Sequence, residues 1–125
     1  MFWKLKKRLY RNIEKNEISY KEFEKMDMRN GILIDVRSPQ EYKEGHLKNA
    51  LSIPEYEIVK RSKNELQNKE QLIVLYCEAG IRSRKARKTL QRMGYKNVYN
   101  IYDVPLKLLW YLYYIACYLY VYMLK

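Results

Sequence analysis

One cysteine occupies a position where a nucleophile is readily activated. Cys77 ends the strongest strand pattern in the chain, Gln71–Cys77. A loop containing Gly80 and Arg82 then leads to a helix pattern that begins at Ser83. Backbone N–H groups of such a loop, together with the helix N-terminus, can point at the sulfur and favour its thiolate, which is the form that attacks. The same groups could hold an oxyanion or the terminal sulfur of a persulfide, whereas a buried structural thiol is the alternative for a lone cysteine.

Other reactive residue types are scarce. Cys117 lies forty positions after Cys77, and neither has a second Cys or His at metal-ligand spacing. His46 is the only histidine, so a Ser-His-Asp triad, a Cys-His dyad or a zinc site would each have to be built around it. We therefore expect no metal and no organic cofactor. The two thiols are expected to be reduced, which favours a cytoplasmic setting.

Three regions of the chain differ in composition. Residues 1–16 form a basic arm, residues 17–103 alternate apolar runs with polar stretches, and residues 104–125 are rich in Leu and Tyr. A length of 125 residues suits one compact domain. The net charge of +11 would attract nucleic acid, anionic lipid or small anions. Because no recognition motif accompanies the charge, we expect no nucleic-acid partner.

Strand and helix patterns alternate through the middle region and predict a mostly parallel α/β sheet of about five strands, covered by helices on both faces. The predicted strands lie at Ile18, Gly31–Val36, Leu51–Ile53, Gln71–Cys77 and Asn97–Tyr102. The predicted helices are Tyr20–Met26, a short one that begins after Ser38 and ends at Gly45, Glu55–Asn68, and Ser83–Met93. In such sheets ligands bind beyond the carboxyl ends of the strands, and Asp35 and Cys77 lie at two of these ends.

Four blocks of this sequence resemble the rhodanese-like family, in the family's order and approximate spacing. The blocks are Leu33 to Tyr42, Gly45 to Ala50, Ile53-Pro54, and Cys77 to Ser83 with Gly94-Tyr95 further on. The resemblance implies a rhodanese-like fold and a sulfurtransferase in which Cys77 is the catalytic nucleophile that forms a persulfide. It also implies a thiosulfate-like or persulfide donor and a thiophilic acceptor such as cyanide or a protein thiol.

The resemblance also suggests roles for the residues around Cys77. The substrate-binding cradle would be the loop that follows the cysteine, namely Glu78, Ala79, Gly80, Ile81 and Arg82. Asp35 and Arg37 are expected to form an ion pair that supports the loop, with solvated positions at a strand end as the alternative. Glu41 and His46 match family positions tied to folding. An exposed helix face is expected for the cations Arg84, Lys85, Arg87 and Lys88.

Loop length separates this prediction from a related one. Phosphatases on the same fold place five residues between the cysteine and the arginine, which makes room for a tetrahedral phosphate. Four residues separate Cys77 from Arg82. The smaller ring suits a single sulfur better, so phosphatase or arsenate reductase activity is the weaker alternative. A non-enzymatic persulfide carrier or docking module is the alternative from a different class.

The two terminal regions depart from the family. Apolar residues of the basic arm, among them Phe2 and Leu9, fall on one helical face, which predicts either a solvated helix or a membrane-surface segment. Where the family makes a Gly-rich turn into a final helix, this chain has Asp103-Val-Pro105. Residues 108–124 then carry no charge. They predict a terminal helix packed on the domain or in a dimer, a membrane-associated tail, or an altered terminus that replaced the ordinary one.

Overall fold

The computed structural model describes residues 14–125, without the side chains of 107–111 and 113. The prediction for the basic arm therefore lies almost entirely outside the described residues. The strands are β1 (Glu17–Ile18), β2 (Ile32–Asp35), β3 (Leu51–Ser52), β4 (Leu72–Tyr76) and β5 (Asn97–Ile101). The helices are α1 (Tyr20–Glu24), α2 (Pro39–Glu44), α3 (Ile58–Glu65), α4 (Ile81–Arg92) and α5 (Leu106–Met123), with a 3₁₀ turn over Glu55–Glu57.

The five strands form one parallel sheet in the order β1-β5-β4-β2-β3. In the register of the sheet, Asp35 of β2 pairs with Tyr76 of β4, and Tyr76 pairs with Ile101 of β5. This arrangement confirms the predicted α/β class. It also places the carboxyl end of β4 at the middle of one sheet edge, where loops from both neighbouring strands surround it.

Alternation along the central strand divides the core between the two faces of the sheet. Ile73, Leu75 and Cys77 contribute to a buried cluster with α3 and α4. Val74 and Tyr76 contribute to a second cluster on the opposite face. Both faces are therefore buried, as the continuous apolar run of β4 predicts for a parallel sheet.

Capping residues begin the helices where the sequence indicates. Ser19 and Ser38 each accept a hydrogen bond from the backbone N–H of the third helical residue. In both capping boxes the glutamate at this third position accepts a hydrogen bond from the backbone N–H of the serine. The predicted helix Glu55–Asn68 is shorter than expected, because it opens as a 3₁₀ turn and ends at Glu65. Helix α4 begins at Ile81, two residues before the predicted start at Ser83.

Residues Leu106–Met123 form the long helix α5, whose first residue contacts the domain. Leu106 packs against the cluster on the Tyr76 face of the sheet. The side chains of Leu112 and of residues 114–125 are all exposed, so this part of α5 does not pack on the domain, which was one of the alternatives that the sequence left open. Within the part of the chain that the structure describes, no helix is long and apolar enough to cross a membrane.

Candidate active site

The sulfur of Cys77 lies in a cradle of hydrogen-bond donors. The Gly80 N–H donates to Sγ at 3.1 Å, the Ser83 hydroxyl at 3.2 Å and the Ser83 N–H at 3.5 Å. Cys77 itself is only 1% exposed. Since donors of this kind stabilise negative charge on sulfur and the N-terminus of α4 adds partial positive charge, the cradle suits a thiolate or a persulfide anion.

Gly80 gives the loop its shape. Its φ of 81° lies in the left-handed region, where a side chain is strained. A Cβ at this position would also lie 3.1 Å from both the Cα and the carbonyl oxygen of Tyr102. The buried Asn100 amide donates to the Gly80 carbonyl at 3.2 Å, and this carbonyl accepts the first helical bond from Arg84 as well. Close approach of β5 thus holds the loop in the conformation that presents the Gly80 N–H to sulfur.

Replacing Gly80 by alanine should damage both stability and sulfur chemistry. Gly94→Ala is the matched control, because Gly94 also has a positive φ of 96° but a Cβ there meets nothing within 4 Å. We expect Gly94→Ala to lower the free energy of unfolding by about 1–2 kcal/mol through strain alone. Gly80→Ala should cost more and slow sulfur loading of Cys77 on the order of tenfold, since the backbone donor moves. Equal losses and equal loading rates would contradict this role for Gly80.

The guanidinium of Arg82 pairs with the carboxylate of Glu41 in α2. Two parallel hydrogen bonds join the guanidinium to the carboxylate at 2.7 and 2.9 Å. The Arg82 pKa is raised, first by this bond and further by the neighbouring Cys77 and Glu78. Glu78, Ala79 and Ile81 are exposed on the outside of the loop. Substrate binding by the five predicted residues, Gly80 included, stays a prediction, and the Arg82–Glu41 pair is a contact that the sequence did not indicate.

The Arg82–Glu41 pair should make part of the stability pH-dependent. Hydrogen bonds from Arg82 are the main cause that lowers the pKa of Glu41 from 4.5 to about 2. Its contribution should be complete above pH 4.5 and lost as the pH falls toward about 2, because folding then requires a protonated carboxyl to ionise. The difference in unfolding midpoint between wild type and Glu41→Gln should shrink across this range. Glu44→Gln, at an exposed position on α2, is the control. A difference in unfolding midpoint between wild type and Glu41→Gln that stays constant with pH would contradict the prediction.

Asp35 and Arg37 form a buried ion pair at the end of β2, beside Tyr76 of β4. Three bonds of 3.0, 3.1 and 2.7 Å join the side chains, and Arg37 also donates to the Gly45 carbonyl at 2.6 Å. The Tyr76 hydroxyl donates to Asp35 at 2.8 Å and accepts from the Leu47 N–H at 3.0 Å. Burial is the first cause that raises the pKa of Tyr76. Because Tyr76 precedes Cys77, this network anchors the strand end from which the sulfur projects.

The prediction of a solvated cationic face on α4 is wrong at Arg87. This side chain is 4% exposed and contacts the carboxylates of Glu14 and Glu17. Arg84 also pairs with Glu17, at 2.6 Å, and Lys88 with Glu14, at 2.9 Å. Glu14, just before β1, and Glu17, its first residue, supply counter-charges that periodicity along α4 alone does not reveal.

Sequence reasoning missed two residues of the site. Ser83 supplies two donors to the sulfur, and Asn100 holds the Gly80 carbonyl from β5. A signal for Ser83 existed, because it falls in the first turn of a helix, where backbone N–H groups lack intrahelical acceptors. No comparable signal marks Asn100, since its contact spans twenty residues and depends on strand pairing.

Comparison with known proteins identifies the family. A family model for the rhodanese-like domain matches residues 19–103. The chain belongs to the rhodanese-like family. Over 67 residues this rhodanese-like chain is 37% identical to thiosulfate sulfurtransferase PspE of Escherichia coli (strain K12), with 54% of this chain and 64% of PspE covered. Over 87 residues it is 34% identical to the proposed sulfur carrier protein YrkF of Bacillus subtilis (strain 168), with 68% of this chain and 46% of YrkF covered.

Solved structures agree with this membership. A rhodanese with anions from E. coli matches with a TM-score of 0.56 and 34% identity, covering 58% of this chain and 86% of that one. The rhodanese-like chain spans less than two thirds of the length of the two curated relatives named above. The matches therefore support sulfur chemistry at the level of the family, and they leave the donor and acceptor of this protein to be proposed.

Proposed function

We propose that this rhodanese-like domain is a sulfurtransferase that carries a sulfur atom on Cys77 as a persulfide. The observation that supports this most directly is the set of donors aimed at Sγ from Gly80 and Ser83. A thiol kept only for packing has no need of these bonds. The same donors would stabilise the terminal sulfur of a persulfide, whose negative charge develops as the transfer proceeds.

The cycle consists of two displacements at sulfur. The Cys77 thiolate attacks the outer sulfur of a thiosulfate-like or persulfide donor, the sulfur–sulfur bond of the donor breaks, and its electron pair leaves with sulfite or a thiolate. The enzyme then holds a Cys77 persulfide anion. A thiophilic acceptor such as cyanide attacks the terminal sulfur and leaves as thiocyanate, which returns Cys77 to the thiolate. Both steps balance without an external oxidant or reductant.

The loop after Cys77 limits what can reach the sulfur. With Cys77 only 1% exposed, a donor must present a single projecting atom through the loop, and a sulfane sulfur meets this requirement better than a bulky phosphoryl group. Glu78, Ala79 and Ile81 form the exposed side of the loop, where a donor would first make contact. We assign Gly80 to the inner side as a donor to sulfur, and Arg82 to a position beside the loop, where its pair with Glu41 joins the loop to α2.

Intact-mass analysis tests the proposal. After incubation with thiosulfate, the protein should gain one sulfur, about 32 Da, and cyanide should remove it with release of thiocyanate. Initial rates should saturate with thiosulfate concentration. Absence of the added mass with both thiosulfate and a persulfide donor would overturn the proposal.

A persulfide carrier is the second candidate, and one observation favours it. Glu41 already neutralises Arg82, so a dianionic small donor meets less free positive charge than the sequence alone suggests. The likeness to YrkF points the same way. A carrier would react slowly with thiosulfate and rapidly with a protein persulfide, whereas an enzyme would show saturable turnover with thiosulfate and cyanide. Comparing the two donors at equal concentration separates these functions.

A further inference from the structure

Helix α5 presents an uncharged surface that the domain does not cover. Its described side chains from Leu112 onward are exposed; Leu112 is 54% exposed, Leu119 53% and Met123 85%. Residues 108–124 contain no charged residue. A helix that is apolar on all sides is normally buried in protein or lipid. We therefore expect the surface of α5 to be covered by a binding partner or by lipid.

Four aliphatic residues of α5 share one side of the helix, although its other sides are uncharged as well. Leu112, Ile115, Leu119 and Met123 follow one another at spacings of three and four residues, which places them on one aliphatic stripe. Tyr120 and Tyr122 lie about 80° to either side of Leu112 in this stripe, given 3.6 residues per turn. The stripe is thus flanked on both sides by rings with an apolar body and a hydroxyl tip.

This arrangement matches the boundary between lipid headgroups and acyl chains. Tyrosine is enriched at that boundary because its ring is apolar and its hydroxyl is polar. With the aliphatic stripe facing the acyl chains, the flanking tyrosines lie at headgroup level. A helix held at this boundary lies with its axis parallel to the membrane plane and its stripe toward the acyl chains.

Charge favours an anionic membrane over a second copy of the chain. Beyond Asp103 the sequence contains no acidic residue, and Lys125 follows the uncharged stretch directly. The chain as a whole carries +11, so pairing two copies through α5 would bring together like charges. Such pairing would also cover one stripe and leave the tyrosine flanks in water, whereas a lipid surface accommodates both.

We propose that α5 docks the protein on anionic lipid surfaces, with the stripe Leu112–Ile115–Leu119–Met123 facing the acyl chains and the flanking tyrosines at the headgroups. The net charge of +11 supplies the long-range attraction. This inference does not depend on the sulfur chemistry of Cys77, because the docking surface and the cradle share no residue.

Vesicle flotation of the 125-residue chain tests the docking. The vesicles contain either phosphatidylcholine alone or phosphatidylcholine with about 30% phosphatidylserine. We expect the protein to float with the anionic vesicles and to bind the neutral ones at least about tenfold more weakly. The double variant Leu112→Gln/Leu119→Gln should lose at least about tenfold in binding to the anionic vesicles, because its stripe no longer favours the acyl chains.

A matched variant controls for the general loss of exposed apolar side chains. Tyr56→Gln/Val59→Gln changes two exposed residues, Tyr56 in the 3₁₀ turn and Val59 in α3. This variant should float as wild type does. Thermal unfolding shows whether each variant is folded. Failure of the wild type to float with either vesicle, or flotation of the Leu112/Leu119 variant like wild type, would overturn the inference. So would a dimer in sedimentation equilibrium that the Leu112/Leu119 variant dissociates, in the absence of vesicle binding, because the occupant is then a second copy.

Discussion

Replacing Cys77 by serine is expected to abolish sulfur loading and thiocyanate formation while leaving the fold intact. Serine is nearly isosteric with cysteine, and its hydroxyl oxygen can accept the bonds that Gly80 and Ser83 now donate to sulfur. The free energy of unfolding should therefore change by only about 1 kcal/mol. An alkoxide at this position is not accessible at neutral pH, so no nucleophile remains to attack the donor.

Cys117→Ser is the matched control for this prediction. Cys117 is exposed, whereas Cys77 is buried among hydrogen-bond donors. Exposure alone would make Cys117 the reactive thiol, whereas the donors around the sulfur predict that Cys77 reacts. We expect Cys117→Ser to gain the same added mass as wild type and to turn over at the same rate. Retention of the added sulfur by Cys77→Ser, or its loss in Cys117→Ser, would show that the cradle is not the reactive site.

Replacing Asp35 by alanine should produce the largest loss of stability among single changes near the site. The change leaves the Arg37 guanidinium buried without its carboxylate and removes the acceptor of the Tyr76 hydroxyl. Removing one partner of a buried ion pair typically costs about 3–5 kcal/mol, because the remaining charge stays desolvated. Denaturant unfolding of wild type and Asp35→Ala measures this difference.

The chain offers a control with the same local spacing. Asp27 and Arg29 also form a bidentate pair two residues apart, but their side chains are 60% and 87% exposed, against 0% and 8% for Asp35 and Arg37. Asp27→Ala should leave the unfolding midpoint almost unchanged, since water replaces the lost contact. Similar losses for the two variants would show that burial is not what makes the Asp35–Arg37 pair important.

Most of the sheet follows from local patterns in the sequence. The run Leu72–Tyr76 is continuously apolar, which predicts a strand buried on both faces, and the structure places it at the centre of the sheet. Ser38 and Pro39 begin a helix because a short polar side chain caps the free N–H groups and proline suits the first turn. These interactions connect residues close in the chain, and their signals therefore survive in one sequence.

Contacts between distant segments could not be derived in this way. The Arg87 cluster depends on Glu14, which lies seventy-three positions earlier, and the Arg82–Glu41 pair spans forty-one. The local sequence around each glutamate does not mark it as the partner of a distant arginine. The sequence assigned Arg87 to an exposed helix face and Arg82 to the substrate-binding loop, because local pattern and family resemblance contain no information on which other segment packs beside them.

The sequence by itself determined the order of strands and helices along the chain, the caps, and the cysteine placed between a strand and a helix. Its family membership also follows from motifs that can be read without coordinates. Only the tertiary structure decided what surrounds that cysteine: the Ser83 hydroxyl at the sulfur, the Asn100 amide on Gly80, and the carboxylate that holds Arg82. The physical reason is that propensity and capping act within a few residues, whereas strand pairing and desolvated ion pairs require segments that meet only in the folded chain.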